Sequence, residues 1–190
     1  MRGQSVTYLQ KDDIEKIINY LEKKNKVIIL AIIKFALNTG LRISDILKLK
    51  FEDIDDTYIK EKKTKKIKKI IFNKVCKKYV EILKKYYLQK GITNYNKGFL
   101  FKSIKNNKFD KPITYQGVNF YINLLKKDLN ITYAFNTHSF RKTWARSVYT
   151  QYNDLALVMK LLNHSSPAIT LRYIGIDEDK MSEVYKTICL

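Results

Sequence analysis

Residues 137–144 read Thr137-His138-Ser139-Phe140-Arg141-Lys142-Thr143-Trp144. On a helix, His138 and Arg141 are three apart and share one face. Phe140 and Trp144, four apart, share another and anchor the helix in a core. Thr137 fits the N-cap position, which would aim the helix N-terminus and His138 toward an anion. By itself the string equally fits a capped helix with an incidental histidine.

Two other segments carry the same chemistry. Upstream, Lys26 to Asn38 is apolar almost all round and predicts a central core helix. It runs into Thr39-Gly40-Leu41-Arg42-Ile43-Ser44-Asp45, with Gly40 just past the helix end. There Arg42 can face a groove while Leu41 and Ile43 turn inward, and Asp45, three residues on, can hold it. A surface arginine with a local ion pair would read the same way. Downstream, Leu161-Leu162-Asn163-His164-Ser165-Ser166-Pro167 leads to Thr170-Leu171-Arg172-Tyr173. Pro167 suits the first turn of a helix capped by Ser165 or Ser166, with Tyr173 near its end. The chain has two histidines, and each falls in one of these segments.

Between these segments the pattern is mostly helical. Residues 11–23 space Ile14, Ile17, Ile18 and Leu21 as an amphipathic helix, with Asp12 and Asp13 in its first turn. A short helix is expected over 43–49. Residues 74–89 put Val75, Tyr79, Ile82, Leu83 and Tyr86 on one face, and 115–128 align Val118, Tyr121, Ile122 and Leu125. Thr57–Lys62 and Ile67–Phe72 read as strands joined by a lysine-rich turn, and Gly98–Phe101 as a third short strand. The fold class is therefore α+β, mostly α-helical with a small antiparallel sheet.

Composition narrows the function. The 190 residues suit one compact domain, and no proline or glycine marks a boundary. The formal charge is +19, which points to a polyanion and most simply to nucleic acid. AT-rich coding would also favour lysine, so charge alone names only a partner class. Of 37 basic residues five are arginines, at 2, 42, 141, 146 and 172, and the other 32 are lysines. Cys76 and Cys189 offer neither a disulfide framework nor a cysteine zinc spacing, which fits a reducing cytosol. No apolar run is long enough to span a bilayer, and residues 1–7 hold no signal-peptide core.

Taken in order, Arg42, His138-x-x-Arg141, His164 and Tyr173 resemble the tyrosine recombinase family, the phage integrase and Xer group. The matching strings are Thr39-Gly40-Leu41-Arg42, His138-Ser139-Phe140-Arg141, Leu162-Asn163-His164-Ser165-Ser166 and Tyr173, and Arg42 to Tyr173 spans 132 residues. The nine-residue step from His164 to Tyr173 matches the family spacing. The resemblance implies the recombinase catalytic-domain fold and cleavage of double-stranded DNA through a 3′-phosphotyrosyl link. Arg42 and Arg141 would clamp the scissile phosphate, a task that suits planar forked donors. His164 would hydrogen-bond the phosphate, His138 would take the nucleophile's proton or orient the phosphate, and Tyr173 would attack. A free phenol has a pKa of ~10, so it needs cations or a base nearby. Lys63, of Lys63-Thr64, best matches the family lysine that protonates the departing 5′-oxygen, with Lys62, Lys65 and Lys66 as rivals in the same turn. Asp45 matches the acidic residue that supports the first arginine. No metal and no cofactor are implied, and self-association into a dimer or tetramer on DNA is expected.

Departures are few. Asn163 replaces the usual glycine before the second histidine, and asparagine tolerates the left-handed turn. Gly175 stands where many members have histidine. The pattern begins almost at Met1, with no preceding core-binding domain visible, so 1–190 reads as one catalytic domain, natural or excised. Such a lone domain would bind DNA weakly and salt-sensitively unless protomers cooperate. Residues 177–190 read as a tail helix with Met181, Val184, Tyr185 and Ile188 on one face, docking on its own domain or on a neighbour. The acidic groups Asp53/Asp55/Asp56 and Asp177/Glu178/Asp179 could suggest a two-metal nuclease, but capping and surface loops explain them better. Two alternatives remain: a type IB topoisomerase-like nicking-closing enzyme, and a non-catalytic DNA-binding regulator on the same fold. The presence of all six candidate catalytic residues argues against the latter. The expected location is the cytoplasm of a bacterium or archaeon, with the gene on a phage or other mobile element.

Overall fold

The computed structural model describes residues 6–55, 57–60, 67–104, 109–175 and 184–188. In chain order the elements are α1 (Lys11–Lys23), α2 (Val27–Thr39), α3 (Ile43–Ile46), β1 (Thr57–Lys60), β2 (Ile67–Ile70), α4 (Lys74–Gln89), α5 (Tyr115–Asp128), α6 (Thr137–Tyr152), α7 (Leu155–Leu162) and α8 (Pro167–Ile174). Among the described residues no helix is long and apolar enough to cross a membrane.

α2 is the axis of the main core. Its run of Ile28 to Ile33, with Phe35 and Ala36, is buried, and α1, α3, α4 and α6 all pack on it. An all-apolar helix is stable only when covered on every side, so its neighbours follow from its sequence. Each of its isoleucines contributes about 1.5–3 kcal/mol on burial. Phe35 sits edge-on to Phe101, with centroids 5.2 Å apart. A smaller second cluster joins α6, α7 and α8 through Ala145, Val158, Leu162 and Ile174, with Trp144 and Tyr173 packed against it. α6 belongs to both clusters: Phe140 lies in the first and Ala145 in the second. The aromatic pair of α6 is thus split between two cores.

β1 and β2 pair antiparallel, Thr57 opposite Ile70 and Lys60 opposite Ile67. β2 stops at Ile70, short of the expected Phe72. Gly98–Phe101 is not a strand: Phe99 makes a single bridge to Lys50. The chain there is held by backbone bonds, Phe51 N–H to the Gly98 carbonyl at 2.9 Å and Leu100 N–H to the Leu49 carbonyl at 2.8 Å, and by side chains: Glu52 accepts from the Gly98 N–H at 3.0 Å and the Tyr87 hydroxyl donates to the Leu100 carbonyl at 3.0 Å. α3 is also shorter than the predicted 43–49. α4 has the expected bounds, but its buried face is Cys76, Tyr79, Val80, Leu83 and Tyr87. Val75, Ile82 and Tyr86 are only half-buried at its edge. Asp53 accepts from the Lys50 N–H at 2.8 Å, a capping role.

Asparagine does much of glycine's work in this glycine-poor chain. The only described non-glycine residues with positive φ are Asn25, Asn130, Asn153 and Asn163, each closing a helix. Their short polar side chains make the left-handed turn cheaper than other residues would.

Burial pushes the Cys76 thiol up to about 12. The thiolate is the reactive form, so Cys76 should resist iodoacetamide at pH 8 while the chain is folded and react in denaturant. Peptide mass spectrometry reads this directly, and prompt native alkylation of Cys76 would contradict its burial.

Candidate active site

Arg42 stands at the N-terminal side of α3 in extended backbone. Leu41 and Ile43 on either side are buried, so the alternation sends Arg42 the other way, as expected. Its Nη1 lies 4.0 Å from Oδ2 of Asp45, whose carboxylate is 1% exposed. The two form an ion pair at the long end of the range.

Arg141 is 3% exposed on the first half of α6. Its guanidinium donates through Nη1 to the Gly40 carbonyl and through Nη2 to the Leu162 carbonyl at 2.8 Å. The first carbonyl ends α2 and the second ends α7. One planar group therefore ties the main core to the second cluster, and these bonds fix its orientation. Gly40 makes this possible. It is left-handed, with φ 61°, and a β-carbon there would lie 2.0 Å from Cε3 of Trp144.

α6 is capped by Asn136, not by Thr137. The Asn136 side chain accepts from the His138 N–H at 2.8 Å, and Ser139 bonds back to the Asn136 N–H at 3.2 Å. Thr137 is buried one position on, sharing a hydrogen bond of 2.9 Å with the Tyr115 hydroxyl. His138 is exposed and, with Arg42, Ser44, Tyr115, Thr137 and Arg141, lines a cleft of about 500 Å³.

The left-handed turn at Asn163 (φ 55°) lets the His164 N–H return to the Met159 carbonyl at 2.9 Å. The glycine-to-asparagine departure thus leaves the turn intact. His164 Nδ1 is 3.1 Å from the Thr170 hydroxyl. That hydroxyl also bonds the Ser166 carbonyl at 3.2 Å, which ties His164 to the start of the next helix. Ser166 precedes Pro167 at the start of α8.

Tyr173, one turn on from Thr170, presents its ring to His164 in a T-shaped contact of 5.1 Å and 85°. Its hydroxyl is buried and has no hydrogen bond of good geometry among the described residues, although the Arg141 guanidinium lies near enough to act on it. Burial pushes the phenol up, and the positive charges of Arg141 and Arg42 pull it part of the way back. The fold thus gathers Arg42, His138, Arg141, His164 and Tyr173. Lys63 lies outside the described residues. Thr170 and Lys142 touch this group without having been singled out in the sequence, and Arg146 holds the carbonyls of Ile174 and Gly175 just beyond Tyr173. Arg146 was discoverable, because arginine is scarce in this chain.

The sequence matches the Phage integrase family over residues 7–180. The chain belongs to that family. It is 35% identical over 186 residues to "Probable integrase/recombinase YoeC" of Bacillus subtilis strain 168, covering 96% of this chain and 95% of that protein. It is 27% identical to "Tyrosine recombinase XerC" of Staphylococcus epidermidis over 94% of this chain but 60% of that one. The fold is also that of solved family members. The crystal structure of XerA recombinase superposes with a TM-score of 0.72 at 22% identity, over 98% of this chain and 64% of XerA. XerH recombinase bound to its palindromic difH substrate gives 0.75 at 20% identity, over 98% of this chain and 54% of XerH. This phage integrase family chain therefore matches YoeC nearly end to end and spans little more than half of the Xer proteins.

Proposed function

We propose that this chain carries out site-specific DNA recombination of the integrase, invertase or resolvase kind. The observation that carries the reading is the convergence of two arginines, two histidines and a tyrosine from four separate segments. The Tyr173 oxygen attacks the scissile phosphorus, forming a 3′-phosphotyrosyl bond as the bond to the 5′-oxygen breaks. His138 takes the phenolic proton. Lys63, which lies between β1 and β2 in the sequence, returns a proton to the leaving 5′-oxygen. Arg42 and Arg141 balance the charge that grows on the non-bridging oxygens, and His164 adds a hydrogen bond to the same phosphate. Asp45 keeps Arg42 in place. A 5′-hydroxyl from the partner strand then attacks the phosphotyrosine and reseals DNA, so the bond energy is conserved.

The partner is double-stranded DNA, held in a synapse of two or four protomers in the cytoplasm. Val184 and Ile188, in the tail segment, expose more than half of their surface, and Tyr185 is 83% exposed. An apolar turn left open in this way favours docking on a neighbouring protomer.

A library of nicked duplexes with randomised sequence tests the function. The chain should retain a subset of duplexes through denaturing purification, each with a free 5′-hydroxyl on the released strand. No covalent retention from such a library would leave the regulator reading standing. Within the site, Thr170→Val removes the partner of His164 Nδ1 at constant volume. Cleavage should slow roughly two- to tenfold, the worth of a hydrogen bond of about 0.5–1.5 kcal/mol, with unfolding in urea nearly unchanged.

A further inference from the structure

Residues 6–9 run ahead of α1 and lie against both α6 and the end of α8. The Val6 carbonyl accepts from Lys142 Nζ at 2.6 Å. The Thr7 N–H donates to the Ala134 carbonyl at 3.0 Å, and the Leu9 N–H to the Thr143 hydroxyl at 2.8 Å. The guanidinium of Arg146 lies 4.1 Å from the centroid of the Tyr8 ring.

The two cations that grip this segment also grip the tyrosine helix. Lys142 Nζ sits 5.1 Å from the centroid of the Tyr173 ring. Arg146 Nη1 donates to the carbonyls of Ile174 and Gly175, both at 3.1 Å. These are the carbonyls at the C-terminal end of α8, where a cation is favoured by the helix dipole. The Tyr8 ring seats against the same end, since a β-carbon on Gly175 would come within 3.3 Å of it. Each cation therefore has one hold on residues 6–9 and another on residues 173–175.

We propose that residues 6–9 form a strap that positions Tyr173, with Lys142 and Arg146 as the positioning residues that transmit its hold. The proposal rests on the reading of Tyr173 as the nucleophile. A phenol that must align with a phosphate and its leaving oxygen reacts slowly when its ring wanders, because orientation is lost before each attack. His164 limits the ring from one side, and Lys142 limits it from another. Burial lowers the pKa of Lys142, in keeping with an ammonium drawn out of solvent. A partly desolvated cation over a ring is held more firmly than an exposed one. Arg146 acts one and two residues further along, by holding the end of the helix on which Tyr173 rides.

Single-turnover cleavage of a nicked duplex recovered from the library tests this, alongside affinity for the same duplex. Lys142→Met and Tyr8→Ala should each cut the cleavage rate by about tenfold, with Kd within about twofold of wild type. Lys142→Arg should recover most of the rate, because it keeps a cation over the ring and a donor to the Val6 carbonyl. Hydrogen exchange gives a readout free of chemistry: amides of residues 170–175 should exchange faster in Lys142→Met and Tyr8→Ala, while those of α2 stay protected. Wild-type cleavage rates in both variants would overturn the strap alone. So would a rate loss matched by an equal loss of affinity, or by faster exchange throughout α2. A wild-type chain that forms no adduct would overturn the nucleophile reading, and the strap proposal with it.

Discussion

Arg141→Lys should slow strand cleavage by roughly a hundred- to a thousandfold, the usual cost of losing one preorganised donor to a developing oxyanion. Arg141 satisfies the carbonyls of Gly40 and Leu162 with its two Nη groups. Those bonds fix the plane of the guanidinium, so its remaining N–H groups are aimed before the phosphate arrives. An ammonium has no plane and one nitrogen, so it cannot bridge both carbonyls and also offer a fork to phosphate. The same substitution should cost stability, because a buried carbonyl left without a donor costs about 1–3 kcal/mol. Urea unfolding and single-turnover cleavage separate the two effects. A lysine variant that is as stable and as fast as wild type would show that the charge alone suffices.

Gly40→Ala should be the most destabilising small substitution in the site, at roughly 2–4 kcal/mol. About 1 kcal/mol comes from forcing a β-carbon into left-handed backbone, and the rest from overpacking. The new carbon would sit 2.0 Å from Cε3 and 2.4 Å from Cζ3 of Trp144. Trp144 is the only tryptophan, so its emission reports the displacement directly. Because Gly40 also supplies a carbonyl to Arg141, cleavage should fall with stability. Combining Gly40→Ala with Trp144→Leu should relieve the clash but not the backbone strain, giving partial recovery of the substitution's own cost. Gly40→Ala with wild-type stability would mean the turn and ring are not so tightly joined.

The apolar periodicity made α1, α2, α4 and α5 legible almost to the residue. Faces were less legible than bounds. In α4 the tyrosines misled, because the hydroxyl of Tyr87 is buried by donating to Leu100 and accepting from the Lys102 N–H at 2.9 Å. Only a partner far along the chain makes Tyr87 a core residue and leaves Tyr86 at the edge. Lys102 itself is 1% exposed, which no local pattern in a lysine-rich chain could signal. At α6 two adjacent residues, Asn136 and Thr137, can each cap, and the choice fell to the one whose partner Ser139 completes a reciprocal pair. Gly98–Phe101 has strand composition but finds only one bridging residue, so it stays irregular.

The site was legible as a set of residue types because arginine and histidine are scarce here. Arg42, His138, Arg141, His164 and Tyr173 do come together, and Asp45 lies beside Arg42. What spacing could not reveal is the framework that orients them: two helix-end carbonyls for Arg141, the Thr170 hydroxyl for His164, and two cations for the helix of Tyr173. These contacts depend on how helix ends meet in space. Lys63 is identified by resemblance, and cleavage kinetics of Lys62, Lys63, Lys65 and Lys66 variants test its place in the reaction: only the Lys63 variant should lose cleavage.

The most direct measurement is the position of the DNA bond on the protein. Adduct formed on a nicked duplex is digested with nuclease and protease, and the nucleotide-bearing peptide is sequenced by mass spectrometry. The 3′-phosphate should be found on Tyr173, and Tyr173→Phe should yield no adduct while still binding the duplex. Attachment at another residue, or an adduct that persists in Tyr173→Phe, would contradict the account.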